Sequence, residues 1–355
     1  MGSRFHTLKI SNIEKTTNDC SIISFEVNGL ADEFAFKQGQ YLTLRAEING
    51  ESVQRSYSLC TSPHDSQWSV GIKKVPGGKF STFANEKLQI GDELDVMAPN
   101  GNFFVECDPK SKRNYVAIAA GSGITPIFSI IKTHLEAEPN ATFNLFYINQ
   151  TVGSIILKEE IEALKNRFME RFEVFHFLTK QKRGVELYNG RLDQEKLEVI
   201  FRDLTPVETM DDIFICGPEE MIFMVKDYLE LKNFDTKHIH FELFGSPERK
   251  KGERIIKDEM VGLKSDVTIL DGANSFNFVI HQGSNNILDA ALANSADLPF
   301  ACKGGVCSTC KAKVIEGEVK MELNYALEQE EVEAGYVLTC QAIPCSDKVV
   351  VDFDN

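Results

Sequence analysis

Cys302-Lys303-Gly304-Gly305-Val306-Cys307-Ser308-Thr309-Cys310 sets three cysteines in a C-x4-C-x2-C run, and Cys340 follows after 29 intervening residues. Four thiolates hold either zinc or an iron–sulfur cluster, so spacing arbitrates. Structural zinc takes two paired knuckles, whereas one half of this set is a lone Cys340. The pattern matches the plant-type 2Fe–2S loop. The small residues Gly304, Gly305, Val306, Ser308 and Thr309 let the backbone curl and aim N–H groups at sulfur. Cys345 competes for the fourth place. Cys340 lies in Val337-Leu338-Thr339-Cys340-Gln341-Ala342, read as a strand end able to face the loop, and Cys345 follows Pro344 near a surface turn. The expected metal ligands are therefore Cys302, Cys307, Cys310 and Cys340. Cys20, Cys60 and Cys107 read as ordinary buried or half-buried thiols. Nine cysteines, with five in the last 54 residues, do not form the even, dispersed framework of a secreted disulfide scaffold.

Upstream of this loop the pattern is β. Val267–Leu270 and Phe276–His281 read as a hairpin around Asp271-Gly272-Ala273-Asn274, followed by a short helix at Ile287–Ala293. Gly245 to about Leu263 has three glycines, a proline and the basic cluster Arg249-Lys250-Lys251 without apolar period, so it reads as a linker. From Arg113 to Phe244, strand-length apolar runs such as Tyr115–Ala120 and Phe143–Ile148 alternate with helical stretches at Ile127–Leu135, Leu157–Phe168 and Glu219–Leu231. That alternation predicts a doubly wound parallel sheet. Residues 5 to about 107 show short alternating runs, Ile22–Val27, Tyr41–Ile48, Ser56–Cys60 and Trp68–Lys73, between Gly, Asn and Pro turns. With one helix at about Phe80–Glu86, they predict an antiparallel barrel. The expected division is 1–108, 109–244, a linker at 245–264, and 265–355.

Three motifs ahead of the cysteine loop carry further chemistry. Arg55-Ser56-Tyr57-Ser58 ends a strand with a phosphate-pairing cation, a flat ring and a small hydroxyl. Gly77-Gly78-Lys79-Phe80-Ser81 opens a helix after the strand that ends at Lys73, and a helix N-terminus with free N–H groups seats a pyrophosphate. Alone, each is also what an ordinary strand or turn looks like; in this order they point to a flavin dinucleotide. Gly121-Ser122-Gly123-Ile124-Thr125-Pro126 joins strand to helix, where glycines admit a dinucleotide's phosphates, although the full G-x-G-x-x-G is absent. Cys216-Gly217-Pro218-Glu219 ends a later strand of the same sheet, at the carboxyl edge where ligands bind. His238 and His240 share a strand face without a third ligand and read as packing residues.

The 355 residues carry 38 basic and 53 acidic side chains, a net charge of −15. That field repels nucleic-acid phosphates and anionic lipid, so neither is an expected partner. From Ser265 to Asn355, 14 acidic residues face 5 basic ones, consistent with either docking on a basic partner or a well-solvated surface. No apolar run reaches the roughly 18 residues of a membrane span, and the start lacks a signal-peptide core. The expected location is cytoplasmic.

In this order the motifs resemble a ferredoxin–NADP⁺ reductase-type flavoprotein fused to a plant-type ferredoxin, across essentially the whole chain. Within that family the likeness extends to reductase subunits of ring-epoxidising complexes acting on phenylacetyl-CoA. It is carried by Ala119-Ala120-Gly121-Ser122-Gly123-Ile124-Thr125-Pro126, Phe300-Ala301-Cys302-Lys303-Gly304-Gly305-Val306-Cys307 and Val349-Val350-Val351-Asp352-Phe353-Asp354. The resemblance implies a multidomain fold: an FAD barrel, a nucleotide-binding α/β sheet and an α+β β-grasp ferredoxin domain. It implies that Arg55, Ser56, Tyr57, Ser58, Lys73, Gly78, Lys79, Phe80 and Ser81 hold FAD. Gly121, Gly123, Thr125, Pro126, Gln150, Gly217 and Pro218 would hold the nicotinamide nucleotide, and Ser58, Cys216 and Glu242 would line the reacting rings. Relatives often carry Asn-Arg-Thr where this chain has Asn149-Gln150-Thr151, with the Arg meeting a 2′-phosphate; the expected donor is NADPH, with NADH as the alternative. The implied activity is electron transfer from the nucleotide through FAD and a 2Fe–2S cluster to an oxygenase component. The alternatives are a reductase for a Rieske-type ring or steroid hydroxylase, and a redox-sensing iron–sulfur protein without enzymatic activity.

Overall fold

The computed structural model describes residues 5–244, 264–281 and 285–354. The expected linker lies outside them, save for Lys264, which opens a strand. The described residues form two compact units, one holding Phe5–Val53 and Tyr57–Phe244 and the other Gln54–Ser56 with the C-terminal segment.

The first unit begins with β1 (Phe5–Thr17), β2 (Cys20–Glu26), β3 (Tyr41–Ile48), β4 (Glu51–Ser58), β5 (Trp68–Lys73), α1 (Lys79–Glu86) and β6 (Glu93–Met97). The strand order is β4-β3-β6-β1-β2-β5, and a bridge between Leu59 and Val70 brings the end of β4 to β5. Inward residues Leu8, Ile10, Ile23, Phe25, Leu42, Leu44, Ile72 and Val96 fill the barrel around Phe34 and Phe80. Apolar alternation places a strand at Ser56–Cys60; the structure starts it at Glu51 and ends it at Ser58. The cause is a two-residue turn: Asn49 (φ 56°) and Gly50 (φ 78°) both take positive φ, the geometry of a tight type I′ hairpin, so β4 leaves β3 at once.

The same unit continues with β7 (Asn114–Ala120), α2 (Ile124–Ala137), β8 (Thr142–Asn149), α3 (Lys158–Arg167), β9 (Phe172–Leu178), α4 (Gln194–Val199), β10 (Asp212–Gly217), α5 (Glu219–Leu231) and β11 (Ile239–Leu243). The five strands are parallel in the order β11-β10-β7-β8-β9. Strand order reverses beside β7, so the crevice for a ligand opens at the carboxyl ends of β7 and β10. Helix α2 starts three residues before its apolar run, because Pro126 in the first turn lacks only an N–H the helix does not use. Helix α4, capped by the Asp193 side chain on the Lys196 N–H, has no counterpart in the sequence pattern; it is too short to show a period.

The C-terminal unit runs β12 (Lys264–Asp271), β13 (Asn274–His281), α6 (Ile287–Ala293), β14 (Lys311–Glu316), β15 (Val319–Met321), α7 (Gln329–Glu333), β16 (Tyr336–Leu338), β17 (Ala342–Pro344) and β18 (Lys348–Asp352). Its main sheet has the order β13-β12-β18-β14-β16, with β12 and β18 parallel. Val267, Ile269, Val349 and Val351 share its core with Ile287, Leu288 and Ala291 of α6. Among the described residues no helix is long and apolar enough to cross a membrane.

Candidate functional site

Strand β4 delivers Arg55 exposed, Ser56 and Tyr57 half-buried and Ser58 buried. The Arg55 guanidinium donates to the Gln54 carbonyl at 2.6 Å, and the Tyr57 ring lies 5.6 Å from that of Phe80. Gly78 caps α1, and no side chain caps the helix, so its first N–H groups remain for a ligand. A Cβ on Gly78 would stand 2.4 Å from Ser81 Oγ and 2.5 Å from Val75 Cγ2, so only glycine fits. The Ser81 hydroxyl accepts from the Val75 N–H at 3.2 Å. Lys79 pairs with Glu51, and Lys73 Nζ lies 3.8 Å from Asp19.

The turn after β7 packs tightly. Gly121 takes φ 55°, and Tyr147 donates its hydroxyl to the Gly121 carbonyl at 3.0 Å. A Cβ on Gly123 would sit 2.2 Å from the Cys216 carbonyl oxygen. Thr125 donates to the Ser122 carbonyl at 3.0 Å, and its Cγ2 would lie 2.5 Å from a Cβ on Gly71. This contact of barrel strand β5 with the start of α2 joins the two halves; Gly71 is absent from the expected site, its only signal in sequence being a glycine inside a strand. Pro126 follows buried in α2, and Gly217 and Pro218 lead β10 into α5, with Pro218 at the cap. A Cβ on Gly217 would stand 2.7 Å from Met221 Cε.

Cys216 and Glu242 are neighbours in register on β10 and β11. Ser58 donates its hydroxyl to Glu242 at 3.2 Å, across 184 positions of sequence. Burial pushes the Glu242 carboxyl up to about 8, against the pull of the Ser58 hydrogen bond. Burial, then the nearby Glu242, lifts the Cys216 thiol well above its ordinary value. Cys216 is thus a neutral thiol, and Glu242 holds a proton at pH 7. An unfolded chain loses that proton near 4.5, while the native chain keeps it to about 8, so native stability falls as pH rises between these values. Glu242→Gln should remove the fall: relative to wild type, its melting temperature should climb from pH 5.5 to 8 and level off above. Parallel melting curves across that range would refute the raised value.

At the end of β8, Gln150 accepts from the Lys180 N–H at 2.8 Å through its backbone carbonyl, while the Gln181 side chain accepts from the Val152 N–H at 3.0 Å. Arg183 donates to the His176 carbonyl at 2.8 Å and covers the Tyr188 ring. Arg183 is therefore engaged on strand β9, which it follows, and Lys180 and Lys182 are exposed at this edge. At the opposite end of the sheet, His238 and His240 each lie 2.9 Å from the same Asp212 oxygen, and His240 stacks on Phe214.

In the C-terminal unit, Cys307, Cys310 and Cys340 are buried and Cys302 half-buried. Cys307 donates to Cys302 across 3.1 Å, and the Gly304 N–H donates to Cys302 at 3.3 Å. Hydrogen bonds from Cys307 and then Cys340, with backbone N–H groups of Gly304 and Val306, hold Cys302 far below the ordinary thiol range. Cys310 is lowered chiefly by the Cys340 thiol. Gly305 takes φ 76°, and a Cβ there would lie 3.0 Å from the Leu323 carbonyl. Thr339 ties Cys340's turn to the loop through its N–H and hydroxyl, both donated to the Cys310 carbonyl. The Cys345 thiol faces the Ile343 carbonyl at 3.5 Å. Four converging soft donors with N–H groups aimed at sulfur suit an iron–sulfur cluster. Gln341, which spacing alone does not single out, donates to the Lys303 carbonyl at 3.1 Å and lies 3.6 Å from Cys340 Sγ; its position directly after a ligand cysteine is the one signal it carries in sequence.

A barrel with a phosphate-accepting helix start, a parallel sheet with a glycine turn, and a four-thiol loop define a flavin- and iron–sulfur-dependent pyridine-nucleotide oxidoreductase. Residues 7–105 match the oxidoreductase FAD-binding domain, 117–227 the oxidoreductase NAD-binding domain, and 269–345 the 2Fe-2S iron-sulfur cluster binding domain. The chain belongs to the ferredoxin–NADP⁺ reductase-type flavoproteins with a C-terminal 2Fe–2S domain, and its cofactors are FAD, a 2Fe–2S cluster and a pyridine nucleotide. It is 40% identical to a subunit of 1,2-phenylacetyl-CoA epoxidase from Escherichia coli (strain K12), covering 99% of this chain and 98% of that one. It is 33% identical to the ferredoxin reductase component of 3-ketosteroid-9-alpha-monooxygenase from Rhodococcus rhodochrous, covering 99% and 98%. Among solved structures, phthalate dioxygenase reductase shares the fold at TM-score 0.59 and 21% identity, with 98% of each chain covered.

Proposed function

We propose that this chain is the cytoplasmic reductase component of a phenylacetyl-CoA epoxidase, taking electrons from NADPH and delivering them to the oxygenase component. The observation that carries this reading is the 40% identity to a subunit of the Escherichia coli epoxidase, extending through all three domains at nearly full length. The proposed division is an FAD-binding barrel at 1–108, a nucleotide domain at 109–244, a linker at 245–264 and a ferredoxin domain at 265–355.

When bound, FAD accepts a hydride and releases electrons singly, and the cluster carries one electron at a time. The chain's own groups position and tune. Arg55 would pair with the FAD pyrophosphate, assisted by Ser56, Lys73, Lys79 and the N–H groups at the start of α1, where Gly78 and Ser81 shape the turn. Tyr57, backed by Phe80, would cover the flavin ring. Gly121 and Gly123 admit the nucleotide phosphates, while Thr125, Pro126, Gly217 and Pro218 frame the nicotinamide. Neutral Cys216 gives that ring an uncharged wall. The Glu242 carboxyl, which accepts the Ser58 hydroxyl and is raised by its burial, would hold a proton beside the bound flavin. Cys302, Cys307, Cys310 and Cys340 hold the iron.

The 33% identity to the steroid monooxygenase component supports the second reading, a reductase for a ring or steroid hydroxylase. Reconstitution separates them. The chain mixed with the epoxidase oxygenase component should couple NADPH consumption to phenylacetyl-CoA epoxidation, and coupling only to a steroid hydroxylase would overturn the assignment.

The nucleotide preference is for NADPH, but modest, because Gln150 replaces the usual cation and leaves Lys180 and Lys182 to supply the charge. Gln150→Arg should raise discrimination toward NADPH by about 1–3 kcal/mol, the range for a hydrogen bond to a charged group. The measurement is kcat/KM for both nucleotides in each protein; a wild type favouring NADH, unchanged by the substitution, would place the 2′-site elsewhere.

A further inference from the structure

A second set of donor atoms meets where the barrel joins the parallel sheet, apart from the flavin, nucleotide and cysteine-loop residues. Cys107 lies on the segment between β6 and β7, His134 in the last turn of α2, and Glu138 at that helix's C-cap. His134 Nδ1 is 3.0 Å from Glu138 Oε1 and 3.6 Å from Cys107 Sγ, and the three donor atoms lie within 4.8 Å of one another. His134 and Glu138 are fully buried, and Cys107 is half-buried. We propose that Cys107, His134 and Glu138 form a site for one zinc-class divalent ion.

The distances carry this. With bonds of about 2.3 Å to sulfur and about 2.0–2.1 Å to nitrogen and oxygen, tetrahedral angles set S···N near ~3.6 Å and N···O near ~3.3 Å. The structure has 3.6 and 3.0 Å on the two edges at His134, each within a few tenths of an ångström of these values, and the third edge, from sulfur to carboxylate, is no longer than 4.8 Å. One thiol, one imidazole and one carboxylate is a donor set that favours zinc-class ions over calcium or magnesium. Supporting groups are built in. Tyr115 donates to both Glu138 oxygens at 3.2 and 3.0 Å, and the Asp108 N–H donates to Oε1 at 2.9 Å, which fixes the carboxylate beside Cys107. The Gln38 amide, from the barrel side, faces both His134 Nε2 at 3.4 Å and Cys107 Sγ at 3.6 Å. Binding sends the thiol proton to solvent and moves the imidazole proton from Nδ1, where it faces Glu138, to Nε2, and the Gln38 amide turns its oxygen toward that N–H. The ion then ties the connecting segment to α2 and stabilises the native state by mass action.

The test uses the full-length holoprotein, dialysed against a mild chelator, exposed to one equivalent of Zn²⁺ and desalted. Metal analysis should find one zinc per chain beside the cluster iron, and zinc should raise the melting temperature. Cys107→Ser and His134→Gln should each lose the retained zinc and the thermal shift while keeping flavin, iron and NADPH–ferricyanide activity. Cys107 is half-exposed and its serine variant differs by one atom, so it decides the matter if the buried His134 variant does not fold. Zinc retained equally by wild type and Cys107→Ser, or by neither, overturns the site; retention that disappears only in Cys307→Ser assigns the zinc to the cluster cysteines and overturns it as well.

Discussion

Cys307→Ser should reduce electron delivery to a one-electron protein acceptor to background while leaving NADPH-driven ferricyanide reduction near the wild-type rate. Cys307 is buried in the four-thiol loop and donates to Cys302 at 3.1 Å, so a hydroxyl there removes one of four soft donors from the centre of the set. The loop belongs to the C-terminal unit, whereas Ser58, Cys216 and Glu242 meet within the other. The flavin band should therefore persist in the purified variant and the iron should be lost. Equal loss of both activities would mean that the flavin site depends on the cluster loop for its own integrity.

The second large effect concerns a single methyl group. Gly123→Ala places a Cβ 2.2 Å from the Cys216 carbonyl oxygen and 2.6 Å from its carbonyl carbon, backbone atoms that cannot rotate away. The turn after β7 and the end of β10 must move apart, and these carry the residues proposed to frame the nicotinamide. A displacement near ~1 Å at reacting groups costs on the order of 100-fold in rate. Flavin reduction by NADPH in single-turnover experiments should slow by about that factor, while FAD and iron contents stay at wild-type levels. A wild-type rate would show that the turn does not set the donor's position. Loss of FAD along with the rate would show that the clash spreads through Thr125 to the barrel, where Gly71 leaves 2.5 Å for a Cβ.

Much of this molecule is legible in local spacing. The C-x4-C-x2-C run and the Gly-x-Gly turn are short stretches whose backbone paths are dictated by the residues within them, so they carry their geometry wherever they are placed. The alternation of strands and helices after Arg113 predicts the parallel sheet for the same reason, since burial on both faces leaves a continuous apolar run. The start of β4 escapes such a reading because the turn residues Asn49-Gly50, and not the apolar alternation, set where the strand begins.

Tertiary structure decided what depends on register and close approach. Glu242 pairs with Ser58 from 184 positions away and beside Cys216, because β11 lies parallel to β10 in one register and β4 ends against them. No local pattern encodes that meeting; the burial that comes with it raises the Glu242 carboxyl, while the Ser58 hydrogen bond pulls the other way. Gly71 looks like a weak point in a strand and is the seat for the Thr125 methyl group. Cys107, His134 and Glu138 each have an ordinary reading in sequence: a half-buried thiol and two polar residues ending a helix. They become one set of donors only because the segment leaving the barrel crosses the last turn of α2 within 3.6 Å of His134. Spacing along the chain fixes the chemistry of a loop, whereas the chemistry of a seam arises where separately folded elements pack.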